Sequence, residues 1–183
     1  MTVPEIQEEA EQMRLPYAVC LLNIQGGLNI STAIRSSHNL NAGKIFVFGR
    51  SKFDRRGMVG SQNYSDISKV PGLVDIETLN VEAFINLLGQ EYYPVFIETG
   101  GVDIREKNWH DEITQMQQLQ ARQPMFIFGT ENEGIPEEFL ELEPIFPGAS
   151  IVSIPMGGVQ RSFNVSCAVS IVLYDVVTNM NWL

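Results

Sequence analysis

The fold of this 183-residue chain is decided by the stretch Ile151-Val-Ser-Ile-Pro-Met-Gly-Gly-Val-Gln-Arg-Ser-Phe-Asn-Val-Ser-Cys-Ala168, which runs into the apolar residues 169–177. A short β-branched run stops at Pro155, a glycine-containing loop follows, and a polar Ser-x-Asn precedes apolar residues at helical spacing. This order predicts a strand, a loop and a helix. The loop places hydroxyl and amide groups at the start of a helix, where backbone N–H groups have no intrahelical partner. The pattern is typical of a site for a polar ligand.

Upstream of this stretch, apolar runs of strand length alternate with segments of helical spacing. Strands are predicted over 17–22, 44–48, 92–98, 123–128 and 150–154, and helices near 2–15, 32–40, 81–88, 111–120 and from 136. This alternation predicts an α/β fold with a mostly parallel sheet, helices on both faces and right-handed crossovers. Ligands bind such sheets at the carboxyl ends of the strands, where four glycine-bearing loops are expected.

Three local details are also predicted. Asn29 or Ser31 is expected to cap the second helix. Residues 49–71 show little periodicity and are interpreted as one long connection, followed by a short edge strand over 72–75. Thr99-Gly-Gly101 is expected to form a turn that ends its strand.

The composition, 44% hydrophobic and 19% charged, predicts one domain over residues 1–183, with an N-terminal helical extension over 1–16. No apolar run is long enough for a membrane span, since the candidate 165–177 is short and contains Asp175. The N-terminus is acidic rather than a basic leader, so no signal peptide is expected. Cys20 and Cys167 are expected to be reduced core residues. These features predict a cytoplasmic protein.

The net charge of −10 argues against non-specific binding of nucleic acid over the whole surface, because phosphates are neutralised by Lys and Arg. One local exception is the run Arg50-Ser-Lys-Phe-Asp-Arg-Arg56. A solvated loop is the ordinary interpretation of such a run. Its position after a strand keeps a phosphate-binding role open.

Several common chemistries do not fit the sequence. No loop has the spacing GxGxxG or GxxxxGK[ST], so ordinary dinucleotide and P-loop sites are not expected. His38 and His110 are the only histidines, and neither has a partner at ligand spacing, so no metal site is expected. No G-x-S-x-G elbow surrounds Ser162, so a serine nucleophile is not expected either.

Polar residues at the predicted strand ends remain, and each has two interpretations. Arg35, in an otherwise apolar helix, either extends into solvent or reaches an anion, and the helix alone supports both equally. Glu131 and Glu133 are by themselves more typical of turn acids. Asn164 by itself is more typical of a helix cap.

Together, three motifs in these positions resemble the SpoU branch of the SPOUT methyltransferases. The first, N-x-x-A-I-x-R-like, matches Asn29-Ile-Ser-Thr-Ala-Ile-Arg35, and the second, G-x-E-x-x-G, matches Gly129-Thr-Glu-Asn-Glu-Gly134. The third, I-P-M-x-G followed by S-L-N-V-S-x-A, matches Ile154-Pro-Met-Gly-Gly158 and Ser162-Phe-Asn-Val-Ser-Cys-Ala168. Each motif alone is weak, but their order and spacing agree from Tyr17 to about Val177.

The resemblance implies a deep trefoil knot in the C-terminal half, a homodimer and S-adenosylmethionine as the cofactor. The expected dimer contact is isologous, through the first and last helices. The expected activity is methyl transfer to a ribose 2′-hydroxyl of tRNA or rRNA. Phe163 departs from the Leu or Met common in this family. The chain is also acidic and lacks the basic terminal extensions of some relatives, so RNA binding that requires a partner protein or a pre-structured RNA is left open.

The resemblance also assigns roles to individual residues. Those expected to hold the cofactor are Glu98, Thr99, Gly129, Ile154, Met156, Ser162 and Phe163. Those expected in catalysis are Arg35 itself and, orienting it or the acceptor, Asn29, Glu131, Ser162 and Asn164. Those expected to bind RNA phosphates are Arg50, Lys52, Arg55 and Arg56.

Two other functions remain open at this point. A catalytically silent, knotted RNA-binding or assembly protein would have the same fold, but it would have no evident need for all the polar residues above. A Rossmann-like domain that uses an adenine nucleotide is less consistent with the sequence, because the first βα turn lacks a ribose-binding acid and no phosphate loop is present.

Overall fold

A computed structural model describes residues 2–22, 26–49, 54–70, 81–89, 91–130 and 132–183. Within these ranges one parallel sheet is formed by six strands: β1 (Leu15–Leu22), β2 (Ala42–Phe48), β3 (Ile67–Val70), β4 (Tyr92–Asp103), β5 (Gln123–Phe128) and β6 (Ser150–Ser153). The order across the sheet is β3-β2-β1-β5-β4-β6, and every neighbouring pair is parallel. The predicted α/β class is therefore confirmed.

The helices in the described ranges are α1 (Val3–Gln12), α2 (Gly27–Asn39), α3 (Val81–Leu88), α4 (Trp109–Gln120), α5 (Glu137–Leu140) and α6 (Val165–Asn179). Thr2 is the N-cap of α1, and its backbone N–H donates to Glu5 Oε2 at 2.6 Å. None of the helices in these ranges is long and apolar enough to span a membrane.

The strand β1 lies in the middle of the sheet and is buried on both faces. Tyr17, Val19 and Leu21 point into the core formed with α2, α4 and α6, whereas the intervening Ala18, Cys20 and Leu22 point into the core formed with α3 and α5. All six side chains have no solvent exposure. This burial explains the uninterrupted apolar run in the sequence, because a strand covered on both faces has no polar side.

The predicted start of α2 is wrong. The helix begins at Gly27 with Gly26 as its N-cap, so Asn29 and Ser31 lie inside it and neither is the cap. The hydroxyl of Ser31 donates to the carbonyl of Gly27 at 2.9 Å, one turn back. Such a bond lets a serine occupy a helix interior, where sequence rules expect it at the cap.

The connection after β2 is also more structured than predicted. It contains 3₁₀ turns at Arg55–Met58 and Ser61–Asn63 and then β3, which pairs in parallel with β2. The sequence Ile-Ser-Lys-Val of β3 is half polar, as suits an exposed edge strand, and so it lacks an apolar run. The edge strand predicted over 72–75 lies outside the described residues.

The strand β4 does not end at Glu98 as predicted but continues through the expected turn at 99–101 to Asp103. Val152 of β6 is the register partner of both Ile97 and Val102, so the four residues between them are expelled from the ladder as a bulge. Bulges of this kind redirect side chains at a sheet edge. This one turns Glu98 and Thr99 toward the carboxyl end of the sheet.

The two cysteines differ in environment. Cys20 is buried in β1 as expected, and burial raises the pKa of its thiol well above the usual range. Cys167, which was also expected in the core, is exposed on the first turn of α6. The knot and the single domain with a helical extension over residues 1–16 stay predictions.

Candidate functional site

A cleft of about 250 Å³ opens at the carboxyl ends of β4, β5 and β6, beside the start of α6. Its position is the one expected for a ligand site in a parallel sheet. Its walls combine apolar side chains with hydroxyls and loop backbone. The lining residues are Ile97, Glu98, Thr99, Phe128, Gly129, Thr130, Gly134, Ile154, Met156, Ser162, Phe163, Asn164, Val165 and Ala168.

One wall is a tight loop after β5 that returns on itself. The backbone N–H of Thr130 donates to the carbonyl of Gly134 at 2.9 Å, and the N–H of Gly134 donates back to Thr130 at 3.2 Å. A Cβ on Gly129 would lie 2.2 Å from the carbonyl carbon of Gly134, so the crossing requires glycine there. Gly134 has φ +69°, a conformation that favours glycine. The spacing G-x-E-x-x-G therefore has a steric cause.

The carboxylate of Glu98 on β4 positions this loop through a hydrogen bond at its end. Its Oε2 accepts a hydrogen bond from the backbone N–H of Ile135 at 2.8 Å, and its Oε1 accepts one from the N–H of Thr99 at 2.8 Å. A Cβ on Gly134 would come within 2.3 Å of the same Oε2, so the carboxylate lies directly against the loop. Both oxygens are occupied by protein donors. Glu98 is thus a positioning residue of the cleft wall rather than a free base.

The opposite wall depends on Asn164, the N-cap of α6. Its Oδ1 accepts hydrogen bonds from the N–H of Ser166 at 2.9 Å and from the Ser166 hydroxyl at 2.7 Å. Because its oxygen is taken, its Nδ2 faces away and donates to Oδ1 of Asn29 at 3.1 Å. Asn164 is therefore a helix cap, as its sequence alone suggests, and also the contact between the first and third motifs.

The helices α2 and α6 lie side by side in parallel. Asn29 meets Asn164 at their starts, and one to two turns later Ser170 Oγ donates to Ser36 Oγ at 2.8 Å. Both helices therefore begin at the carboxyl ends of the strands, where the cleft also opens. Helix amino ends carry partial positive charge, which favours an anion at this edge.

The structure brings together most of the residues that the sequence singles out. All seven predicted cofactor-binding residues line the cleft, and so does Asn164. Asn29 reaches the cleft wall through Asn164. Glu131 lies outside the described residues. Six lining residues were not predicted as site residues, although all lie within or next to the quoted motifs and predicted strand ends: Ile97, Phe128, Thr130, Gly134, Val165 and Ala168.

Arg35 does not line the cleft. It is exposed on α2 and forms no ion pair or hydrogen bond with any residue that the structure describes. It lies six residues beyond Asn29, which is about 9 Å along a helix axis. Its guanidinium is thus free to bind an anion beside the cleft rather than a molecule within it.

The basic run after β2 is partly described. Arg50 and Lys52 lie outside the described residues, and of Arg55 only the backbone is described. The exposed Arg56 pairs with Asp54 through Nη2 and Oδ2 at 2.6 Å. The N–H of Asp54 donates to the carbonyl of Gly27 at 3.2 Å, so the end of the run is docked on the start of α2.

The chemistry available in the cleft follows from its lining. Glu98 is the one ionisable side chain among the described lining residues, and its oxygens are engaged. Hydroxyls and backbone groups can bind a polar ligand, and the apolar walls can pack on a flat ring. The described wall offers no free acid or base, so a proton acceptor would come from outside it.

Asn164 both caps α6 and donates to Asn29, and two substitutions should separate the effects of these roles on stability. Asn164→Ala removes the cap and should lower the free energy of unfolding by about 1 kcal/mol. Asn164→Asp keeps a capping oxygen and should restore most of that stability, although it removes the donor to Asn29. Urea denaturation of both variants would measure this, and equal destabilisation by the two would contradict the capping role.

Solved structures share this fold. The TrmH/SpoU tRNA modifying enzyme of A. aeolicus is 19% identical, with a TM-score of 0.73 over 98% of this chain and 82% of that one. The AdoMet-bound rRNA methyltransferase of Sinorhizobium meliloti is 22% identical, with a TM-score of 0.69 over 90% of this chain and 56% of that one. A protein from a structural study of 2-OH methylation of C/U34 on tRNA is 17% identical, with a TM-score of 0.70 over 90% and 96% of the two chains.

Sequence comparison gives the family. No curated protein matches the chain. The family model described as the SpoU rRNA Methylase family matches residues 16–174, which include all three motifs. The match covers most of the chain and joins the segments that form the cleft. The chain therefore belongs to the SpoU family of RNA methyltransferases.

Proposed function

We propose that this protein uses S-adenosylmethionine to methylate a ribose 2′-hydroxyl of tRNA or rRNA. The observation that carries the proposal is the convergence of the three motifs on one edge of the sheet, two of them lining the cleft directly and the first joined to it by the Asn29–Asn164 hydrogen bond. Family membership supports RNA methylation. The relative from Sinorhizobium meliloti binds AdoMet in a structure with this fold.

The lining of the cleft suits this cofactor. Ile154 and Phe163 offer apolar surface for a purine ring, and the hydroxyls of Thr99 and Ser162 suit ribose or amino-acid groups. Ser162 forms no hydrogen bond with any residue that the structure describes, so its hydroxyl is free for a ligand. When bound, S-adenosylmethionine supplies an electrophilic methyl group on a sulfonium.

The acceptor would lie between the cleft and α2. Asn29 and Asn164 present amide groups there, and with Ser162 and Glu131 they would orient the ribose. Arg35 would bind the phosphate next to the acceptor nucleotide. Because a free guanidinium has a pKa above about 12, it is a poor base, and the phosphate or a transiently less protonated guanidinium would take the proton.

The run with Arg50, Lys52, Arg55 and Arg56 would guide RNA to the start of α2. The hydrogen bond from the N–H of Asp54 to the carbonyl of Gly27 supports this proposal, because it holds the run against the start of α2. Gly57 packs so closely on α2 that a Cβ there would lie 2.7 Å from Cβ of Ser31. An RNA phosphate would have to displace Asp54 from Arg56 or bind beside the pair.

We further propose a homodimer formed through the first and last helices. Support comes from the apolar side chains exposed on them, with Met13 48% exposed beside α1 and Tyr174 60% exposed on α6. Such surface is favourable to bury between two copies, and an isologous contact would pair the same helices twice.

The proposed activity is tested by transfer of a labelled methyl group from S-adenosylmethionine to tRNA and to rRNA, followed by mapping of 2′-O-methyl sites lost in a deletion strain. We expect label in one RNA class, resistant to alkaline cleavage at a single nucleotide. Calorimetry with S-adenosylmethionine should show binding. Binding of RNA without cofactor binding or transfer would instead identify a catalytically silent RNA-binding protein.

Glu98 should affect cofactor affinity indirectly, because its carboxylate positions the loop between Gly129 and Gly134. Glu98→Gln replaces one acceptor oxygen with a donor that would face a backbone N–H, and leaving such a donor unpaired costs about 1–3 kcal/mol. We therefore expect S-adenosylmethionine to bind about tenfold more weakly, as measured by calorimetry. Glu133→Gln, an exposed residue of the same loop, is the matched control. Equal affinity of both variants would show that the carboxylate does not support the cleft.

Arg35→Lys should lower kcat/KM for RNA by about tenfold or more, because an ammonium cannot copy a bidentate guanidinium–phosphate contact. The affinity for S-adenosylmethionine should stay unchanged, since Arg35 does not line the cleft. Arg122→Lys, at the amino end of β5 and therefore on the opposite side of the sheet from the cleft, is the control. Full activity of Arg35→Lys at neutral pH would exclude the proposed role.

A further inference from the structure

We infer that Arg161 is a substrate-binding residue that contacts a phosphate of the RNA beside the cleft. The inference rests on the proposed function and extends it to a residue outside the assigned basic run. It depends on the charge pattern of the chain, on the exposure of Arg161 and on its position next to the cleft.

The charge pattern sets Arg161 apart. Between Glu143 and Asp175 the sequence contains no other charged side chain, although the protein has a net charge of −10. Like residues 12–53, which include α2, residues 144–174 contain no carboxylate. This acid-free stretch includes β6, the following loop and most of α6. A polyanion approaching an acidic protein meets least repulsion along such a surface.

Arg161 is exposed and forms no ion pair or hydrogen bond with any residue that the structure describes. Several other described cations are engaged, although Arg35 and Arg122 are not. Arg56 pairs with Asp54 at 2.6 Å, and Arg105 pairs with Asp103 at 2.5 Å. Lys107 is largely buried and pairs with Glu112. A guanidinium without a carboxylate partner is available for a phosphate, which matches its planar fork of donors.

The position of Arg161 ties it to the reaction rather than to the general surface. The next two residues, Ser162 and Phe163, line the cleft. Adjacent Cα atoms are about 3.8 Å apart, so Arg161 lies at the rim. A nucleotide whose ribose enters the cleft would bring its own phosphates to that rim.

The loop that carries Arg161 can adjust to RNA. Residues 156–163 form no hydrogen bond with any residue that the structure describes, and Val159 at the tip is 99% exposed. A Cβ on Gly157 or Gly158 would meet no atom within 4 Å. Packing at these two glycines therefore does not restrain the tip of the loop, which leaves it room to adjust when Arg161 contacts a phosphate.

The test compares Arg161→Ala with the wild-type protein in binding of unfractionated tRNA and deproteinised rRNA over a range of salt concentrations. We expect binding of the methylated RNA class to weaken about tenfold, as for loss of one charge-assisted contact. The slope of log K against log salt should fall in magnitude by about 0.7–0.9, which corresponds to one phosphate. Affinity for S-adenosylmethionine, measured by calorimetry, should not change.

Two further variants sharpen the test. Arg161→Lys keeps the charge and should keep the salt slope. Arg122→Ala removes a cation that also lacks a described partner. It lies at the amino end of β5, away from the cleft, so RNA binding should not change. An unchanged salt slope in Arg161→Ala, or a parallel loss of cofactor affinity in a natively folded variant, would overturn the inference. If the wild-type protein transfers no methyl group yet its RNA binding depends on Arg161, the proposed function fails and the phosphate contact stands.

Discussion

Burial of both faces of the parallel sheet is the constraint on which the site depends. The six side chains from Tyr17 to Leu22 on β1 have no solvent exposure, so neither face can carry reactive groups. Polar residues are then confined to the loops at the strand ends. The bulge in β4 adds two polar residues to these strand ends, because Glu98 and Thr99 leave the ladder there and line the cleft.

Few hydrogen bonds hold the resulting loops in place. The carboxylate of Glu98 supports the loop between Gly129 and Gly134 through the N–H of Ile135, and the amide of Asn164 joins α6 to Asn29 of α2. These bonds lie at the rim and not in the two cores. Loss of one of these bonds can therefore change the shape of the cleft while the fold is kept. Ligand affinity and global stability can then be measured as separate effects.

Electrostatics restricts how an acidic protein can act on RNA. The hydrogen bonds from Arg56 hold the pKa of Asp54 at about 2, so this carboxylate stays charged at neutral pH and keeps its arginine engaged. Similar pairing occupies Arg105. Arg161 remains accessible near the amino end of α6, whose partial positive charge adds to its own, and Arg35 is exposed farther along α2. These two guanidinium groups are thereby left available for phosphate.

The sequence by itself determined the α/β class, the strand at 123–128 and the cap at Asn164, because apolar runs, spacing and caps are local properties. Through the family's motifs it also singled out, as a predicted cofactor-binding set, seven residues that line the cleft. It missed β3, whose edge position removes the apolar run, and it placed Asn29 and Ser31 as candidate caps of α2. Only the tertiary structure decided the role of Glu98 and the meeting of Asn29 with Asn164, because their partners lie 37 and 135 residues away. Contacts at such separations depend on how strands and helices pack, and no local pattern encodes them.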